Sequence, residues 1–440
     1  MNAEVRVLKS PVETALAEAF TAAKRKLPGT GEVGRLREAA FHRFEKKGLP
    51  NRRVEEWKYT DLRAAMREAK PLAGPPDAAA KLRAKEAGAL LAGVDCRRLV
   101  FIDGVFVSEA SDLVRMEPGL TIRSLAEALS SGDALTKHIG KVAPSEDPAL
   151  ALNTSFMSDG ALVHVAAGSR IARPLHLVFV TASANISAFP RSLVVVEKGA
   201  ALTLVESHEG WGSDSQVNTA LELVIGDRAE VDHLKITTGD ATMLHVSSLM
   251  ASVGAHARYN DFAFTTGGAV VRNQLFICCH GKNSVLNLRG ATLLKGRQHA
   301  DTTLILDHSV GGCTSREVYK SVLDDEAHGV FQGKIIVRPH AQKTDAKMMT
   351  RALLLSEAAE ANAKPELEIF ADDVQCGHGA TTGALDEDLL FYLRARGIPA
   401  KEAEALMIQA FIGEAVDEIA HEGLREALMG AAVEWLQARG

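Results

Sequence analysis

Gly199, Gly226, Gly254 and Gly281 recur at intervals of 27, 28 and 27 residues. A near-constant interval of this length marks a stacked repeat, in which each unit closes its core only against its neighbours. Three and five residues after each glycine stand Leu202/Leu204, Ala229/Val231, Ala257/Tyr259 and Ser284/Leu286. In an extended chain residues i and i+2 point to the same side, so each pair is expected to face inward together. Around them lie short runs rich in Val, Ile and Leu: 161–165, 192–196, 201–205, 220–225 and 334–337. Glycines and polar turns separate these runs, the pattern of strands. Repeats that read as strands without helices predict a mainly β chain built on a β-helix. A β-sandwich also has many short strands, but gives no reason for a constant glycine interval. The interval blurs after Gly281.

The flanks read differently. Thr14 to Leu27 is rich in helix formers, and Glu32 to Lys47 carries Leu36, Ala39, Ala40 and Phe44 at helical spacing. Gly48 and Pro50 end that helix. Pro71, Gly74, Pro75 and Pro76 mark a linker. After Leu385 the chain is helical again, broken once at Gly397-Ile398-Pro399. Three parts follow: a helical region and linker over 1–80, a β-helix with its entry segment over 81–384 (regular coils over about 161–384), and a helical region over 385–440. In the last, Ile408, Phe411, Ile412, Ala415, Val416 and Ile419 form an apolar stripe. Such a stripe is either core or a surface that docks a partner.

Composition narrows the function. The 440 residues carry a net charge of −6, which argues against a nucleic-acid binder. The longest apolar runs are far too short to cross a bilayer, and the N-terminus Met1 to Val7 lacks the apolar stretch of a secretory signal. Five irregularly spaced cysteines do not make a disulfide framework. A reducing cytoplasm fits best.

The chemistry concentrates in Asp372 to Gly383, where Cys376 and His378 stand two apart in a strand-like, glycine-broken run. Both can face one partner, and sulfur and imidazole suit iron, zinc or iron–sulfur species. Two ligands are too few for a closed site, so others must come from elsewhere in the fold or from another chain. The pair can equally be packing residues. In Cys278-Cys279-His280, neighbouring side chains point to opposite faces, so at most one thiol joins a site and the other is core. His308, His328 and His340 are expected to be hydrogen-bonded or exposed rather than ligands. No phosphate loop, GxSxG elbow, HExxH motif or GxGxxG turn occurs, so no nucleotide is expected on this chain, and no flavin site is legible.

Three segments carry a resemblance. Glu55 to Leu62 reads EEWKYTDL. Phe101 to Val107 is followed by Leu152 to Gly160. The third series runs 342–346, 353–357, 361–369, Asp372 to Gly383, then 388–398. In this order they resemble the SufB/SufD family, scaffold subunits of the SUF iron–sulfur cluster assembly machinery. Cys376-Gly-His378-Gly, where the B branch carries a Glu-His-Glu type triplet, is similar to the D branch. The resemblance implies a right-handed parallel β-helix flanked by helical regions. It implies no enzymatic activity, a heterodimer with a SufB-like subunit, and a SufC-like ABC ATPase bound through the C-terminal helices. It further implies a transient iron–sulfur cluster at the subunit interface, with His378 the stronger ligand and Cys376 either a ligand or a residue that shapes the site. An unpaired chain is expected to be able to form homodimers through its exposed sheet edges.

Two other readings stay open. A β-helical carbohydrate-active enzyme would place carboxylates along the outside of the solenoid, as Asp324, Asp325 and Glu326 could be, although that run also reads as a solvated turn. A purely structural interaction module would use its Cys and His only for packing.

Overall fold

The computed structural model describes residues 9–143 and 146–439; the expectation for Met1 to Val7 lies outside them. Two ten-stranded sheets face each other. Successive strands alternate between them, so the chain winds as a parallel β-helix. One sheet runs through Ala201–Gly210, Glu230–Thr237, Arg258–Thr265, Val285–Leu294, Thr314–Leu323, Asp345–Leu354 and Gln375–Gly383. The other ends on Val270–Cys279, His299–His308, His328–Val337 and Glu360–Ile369. The repeat continues past Gly281, but its length changes: Arg258 pairs with Val285, 27 residues on, and Thr314 with Asp345, 31 on. Lengthening turns blur the glycine interval while the register persists.

Three of the four glycines share one corner. A Cβ on Gly226, Gly254 or Gly281 would lie 2.7, 2.7 or 1.8 Å from backbone nitrogen of the preceding coil. Gly199 is offset by two positions. It belongs to a column of left-handed residues with Arg228, His256, Asn283, Gly312 and Lys343, all at positive φ. These residues turn the chain into the next strand, and the following residue points inward in each coil. The inward pairs expected from spacing are all buried: Leu202 stacks on Val231, Tyr259 and Leu286 in register.

Helices flank the solenoid on both sides in sequence. Pro11–Ala23 opens with a capping box between Ser10 and Glu13. It packs with Glu32–Lys47 and Pro148–Phe156 through Phe20, Phe41, Phe44 and Phe156, where Phe20 and Phe41 stack at 4.2 Å. Trp57 is fully buried; its Nε1 donates to Asp147 (2.8 Å), and the Arg272 guanidinium lies 3.9 Å from its ring. At the other end Ala400–Val416 and Glu422–Gln437 lie on the outer face of the first sheet, over Val205, Leu234, Phe262, Phe264, Leu293 and Val322.

Candidate functional site

The site lies at the open C-terminal mouth of the solenoid. Gln375–Gly383 ends one sheet and Glu360–Ile369 ends the other, so both present an unpaired edge. Elsewhere the coils are mostly buried, but neither of these strands has a fully buried residue: Glu360–Ile369 is half-buried, Gln375–Gly383 is largely exposed, and Phe370 beside them is 57% exposed. An edge strand with free N–H and C=O groups is a ready template for another chain.

Register fixes where the two expected ligands point. Cys376 pairs with Ala346 and His378 with Met348. Both partners are buried interior residues, so Cys376 and His378 belong to the inward face of the last coil. Cys376 packs partly against the core, while His378 is exposed at the mouth. Burial pushes the Cys376 thiol up, with Asp345 and Glu317 adding to it. Gly377 and Gly379 sit between and beside them; a Cβ at Gly377 would meet nothing within 4 Å. The structure thus brings the pair together on one face, as the spacing predicts.

Beneath the mouth the interior turns polar. Cys376 continues the column of Ala346 and Ser315, and His378 that of Met348 and Glu317. Glu317 is fully buried and neither carboxyl oxygen has a hydrogen-bond partner. Burial pushes its pKa up to about 8. Further in, His233 is held between Asp261 (2.7 Å) and Glu206 (3.1 Å). Burial works against its protonation, but the two carboxylates raise it to about 9. Tyr259 donates to the same Asp261 at 3.1 Å. Spacing gave no sign of this triad, because its members lie on three consecutive coils.

Three more ligand-type residues meet at the corner: Cys279, His308 and Cys313, with ligand atoms all within 4.8 Å of one another. Of the vicinal pair, Cys279 is the buried one and Cys278 faces outward, as alternation requires. His308 is indeed hydrogen-bonded, to Ser315 at 3.1 Å.

The six-residue stripe of the tail requires a correction. Ile408, Ile412, Ala415 and Val416 are fully buried against the solenoid, and Phe411 and Ile419 pack on the same cluster. They attach the tail to the β-helix, and Ile408, Ile412, Ala415 and Val416 keep no surface for a partner. The exposed apolar side chains are others: Leu389, Phe391 (73% exposed) and Tyr392 on Glu387–Ala395, and Leu406. The acidic run is also accounted for. Asp324 pairs with Arg439 (2.6 Å), Asp325 accepts from the Gly296 N–H (2.9 Å) and Glu326 lies 3.7 Å from Arg297. These carboxylates serve a turn.

The chain is thus a parallel β-helix with helical flanks whose unpaired last coil carries Cys376 and His378 on its inward face. The family described as "SUF system FeS cluster assembly, SufBD core domain" matches residues 179–411, and "SufBD protein N-terminal region" matches 15–177. An iron–sulfur cluster assembly SufBD family protein of Synechocystis is 33% identical, over 84% of each chain. The iron–sulfur cluster assembly protein SufD of Escherichia coli is 31% identical, over 87% of this chain and 88% of its own. SufD of Bacillus subtilis is 27% identical, over 69% and 71%. The chain belongs to the SufBD family of iron–sulfur cluster assembly proteins. Among the described residues, no helix is long and apolar enough to cross a membrane.

Proposed function

We propose that this chain is a non-catalytic scaffold subunit that pairs, edge to edge at its open mouth, with a SufB-like β-helix. A nascent iron–sulfur cluster is then built between the two chains and passed on. The observation that carries this reading is the placement of Cys376 and His378 on the inward face of an unpaired terminal coil. His378, the exposed member, contributes a ligand; Cys376, half-buried, contributes or shapes the pocket. The partner supplies the remaining ligands, which is the chemical reason an incomplete set is useful here.

ATP is hydrolysed in a SufC-like partner. The tail is held firmly to the solenoid through Ile408, Ile412 and Val416, and Lys320 donates to the Phe411 carbonyl at 2.6 Å. Leu389, Phe391, Tyr392 and Leu406 form the ATPase-facing patch in this reading. Motion of the ATPase would reach the mouth through that tail. Without its partner the same edges would support a homodimer. The action takes place in the cytoplasm.

The test is His378→Ala in the reconstituted complex, read by complex mass and by cluster absorbance. The expected result is intact assembly with a severalfold loss of cluster. Intact assembly with undiminished cluster formation would instead favour a structural module whose Cys and His only pack.

A further inference from the structure

Two inward columns meet at one corner of every coil. On one side they read Val196, Ile225, Val253, Cys279, His308, Val337 in strict register. On the other they read Ala200, Ala229, Ala257, Ser284, Cys313, Thr344, each one residue before the paired strands begin. Both columns change from plain apolar packing to ligand chemistry on the same two consecutive coils. Replacement of Val and Ala by Cys, His, Ser and Cys on adjoining rungs is not what packing alone asks for, since the rungs before them are filled by Val, Ile and Ala.

We propose that this corner binds one soft or borderline divalent transition-metal ion, Zn2+ or Fe2+, through Cys279, His308 and Cys313. The three ligand atoms lie within 4.8 Å of one another, and all three side chains are fully buried. His308 Nε2 is bound to Ser315 Oγ at 3.1 Å, while Nδ1 is buried without a hydrogen-bond partner. A ring held through one nitrogen with the other left free is the arrangement of a metal-bound histidine and its supporting partner. Ser284 Oγ donates to Cys313 Sγ at 3.2 Å, the contact that steadies a thiolate. Binding releases the two thiol protons. Two thiolates, a neutral imidazole and a divalent ion then sum to zero charge, which an enclosed interior tolerates. Hard cations are excluded by the sulfur donors. Three ligands leave a tetrahedral ion one exchangeable position.

The corner is separate from the mouth: Cys313, Thr344 and Val374 are successive rungs, and Cys376 is two residues past Val374. At the usual strand spacing that is roughly 10 Å.

The full chain would be produced in medium supplemented with zinc or with iron, and its bound metal measured by elemental mass spectrometry. It would also be refolded with Co2+ and its absorption recorded. The expected result is about one ion per chain and a thiolate-to-cobalt charge-transfer band. Both persist in Cys376→Ser/His378→Ala and are lost in Cys313→Ser. Circular dichroism confirms that each variant folds, and the wild-type cobalt spectrum stands as evidence if Cys313→Ser does not. The proposal is overturned if the wild type holds no metal and gives no cobalt band. It is equally overturned if the metal is lost with Cys376 and His378, or if Cys279 and Cys313 are recovered as a disulfide from chain purified without oxidant.

Discussion

At the scale of single residues, chemistry follows the column a side chain occupies. Glu317 is buried between the apolar Leu288 and Met348 of its column, and burial favours its neutral form. Its folded pKa of about 8 lies above the ordinary 4.5. Its burial is therefore harmless below pH 4.5, and stability is lost as pH rises toward and through 8. Glu317→Gln keeps the shape and removes the titration. Chemical denaturation should find it more stable than the wild type by about 3 kcal/mol at pH 7 and equal to it near pH 4. Equal stability at both pH values would mean that the carboxyl is not desolvated. Cys376 and His378 were readable because a spacing of two fixes a shared face. The Cys279 corner was not, since His308 and Cys313 lie 29 and 34 residues further on and only register unites them.

At the scale of elements, amphipathic pattern tells that a helix has an apolar face, but not what covers it. The stripe from Ile408 to Ile419 was legible as a stripe; its occupant, the outer face of the solenoid, became visible only once that face was seen to carry Val205, Leu234, Phe262 and Leu293. Glu387–Ala395 buries none of its side chains, which is why docking is assigned there. Phe391→Asp should weaken ATPase binding at least tenfold in a pull-down or titration while leaving the thermal unfolding midpoint unchanged; unchanged affinity would move the docking site elsewhere. Inside the strands, His233 depends on Glu206 and Asp261. His233→Leu leaves two buried carboxylates without their cation and should destabilise by about 3–5 kcal/mol. A loss below about 1 kcal/mol would show that the carboxylates find other partners.

At the scale of the molecule, the glycine interval revealed a solenoid because three glycines avoid the backbone of the coil before them. It could not show where the stack stops or which end stays open, since that depends on what the flanking helices cover. The N-terminal helices pack on the outer side near Leu244 and Val246, and the tail folds back over the first sheet. Glu55 of the N-terminal region pairs with Lys364, but no residue of Glu360–Ile369 or Gln375–Gly383 is fully buried, and Gln375–Gly383 is mostly exposed. The central claim is that this mouth is where the chain meets its β-helical partner. Hydrogen exchange of the backbone amides, with and without a SufB-like subunit, tests it most directly. Residues 360–383 should exchange much more slowly in the complex, with little change on the N-terminal helices. Unchanged exchange at 360–383, with protection elsewhere on the solenoid, would contradict the account.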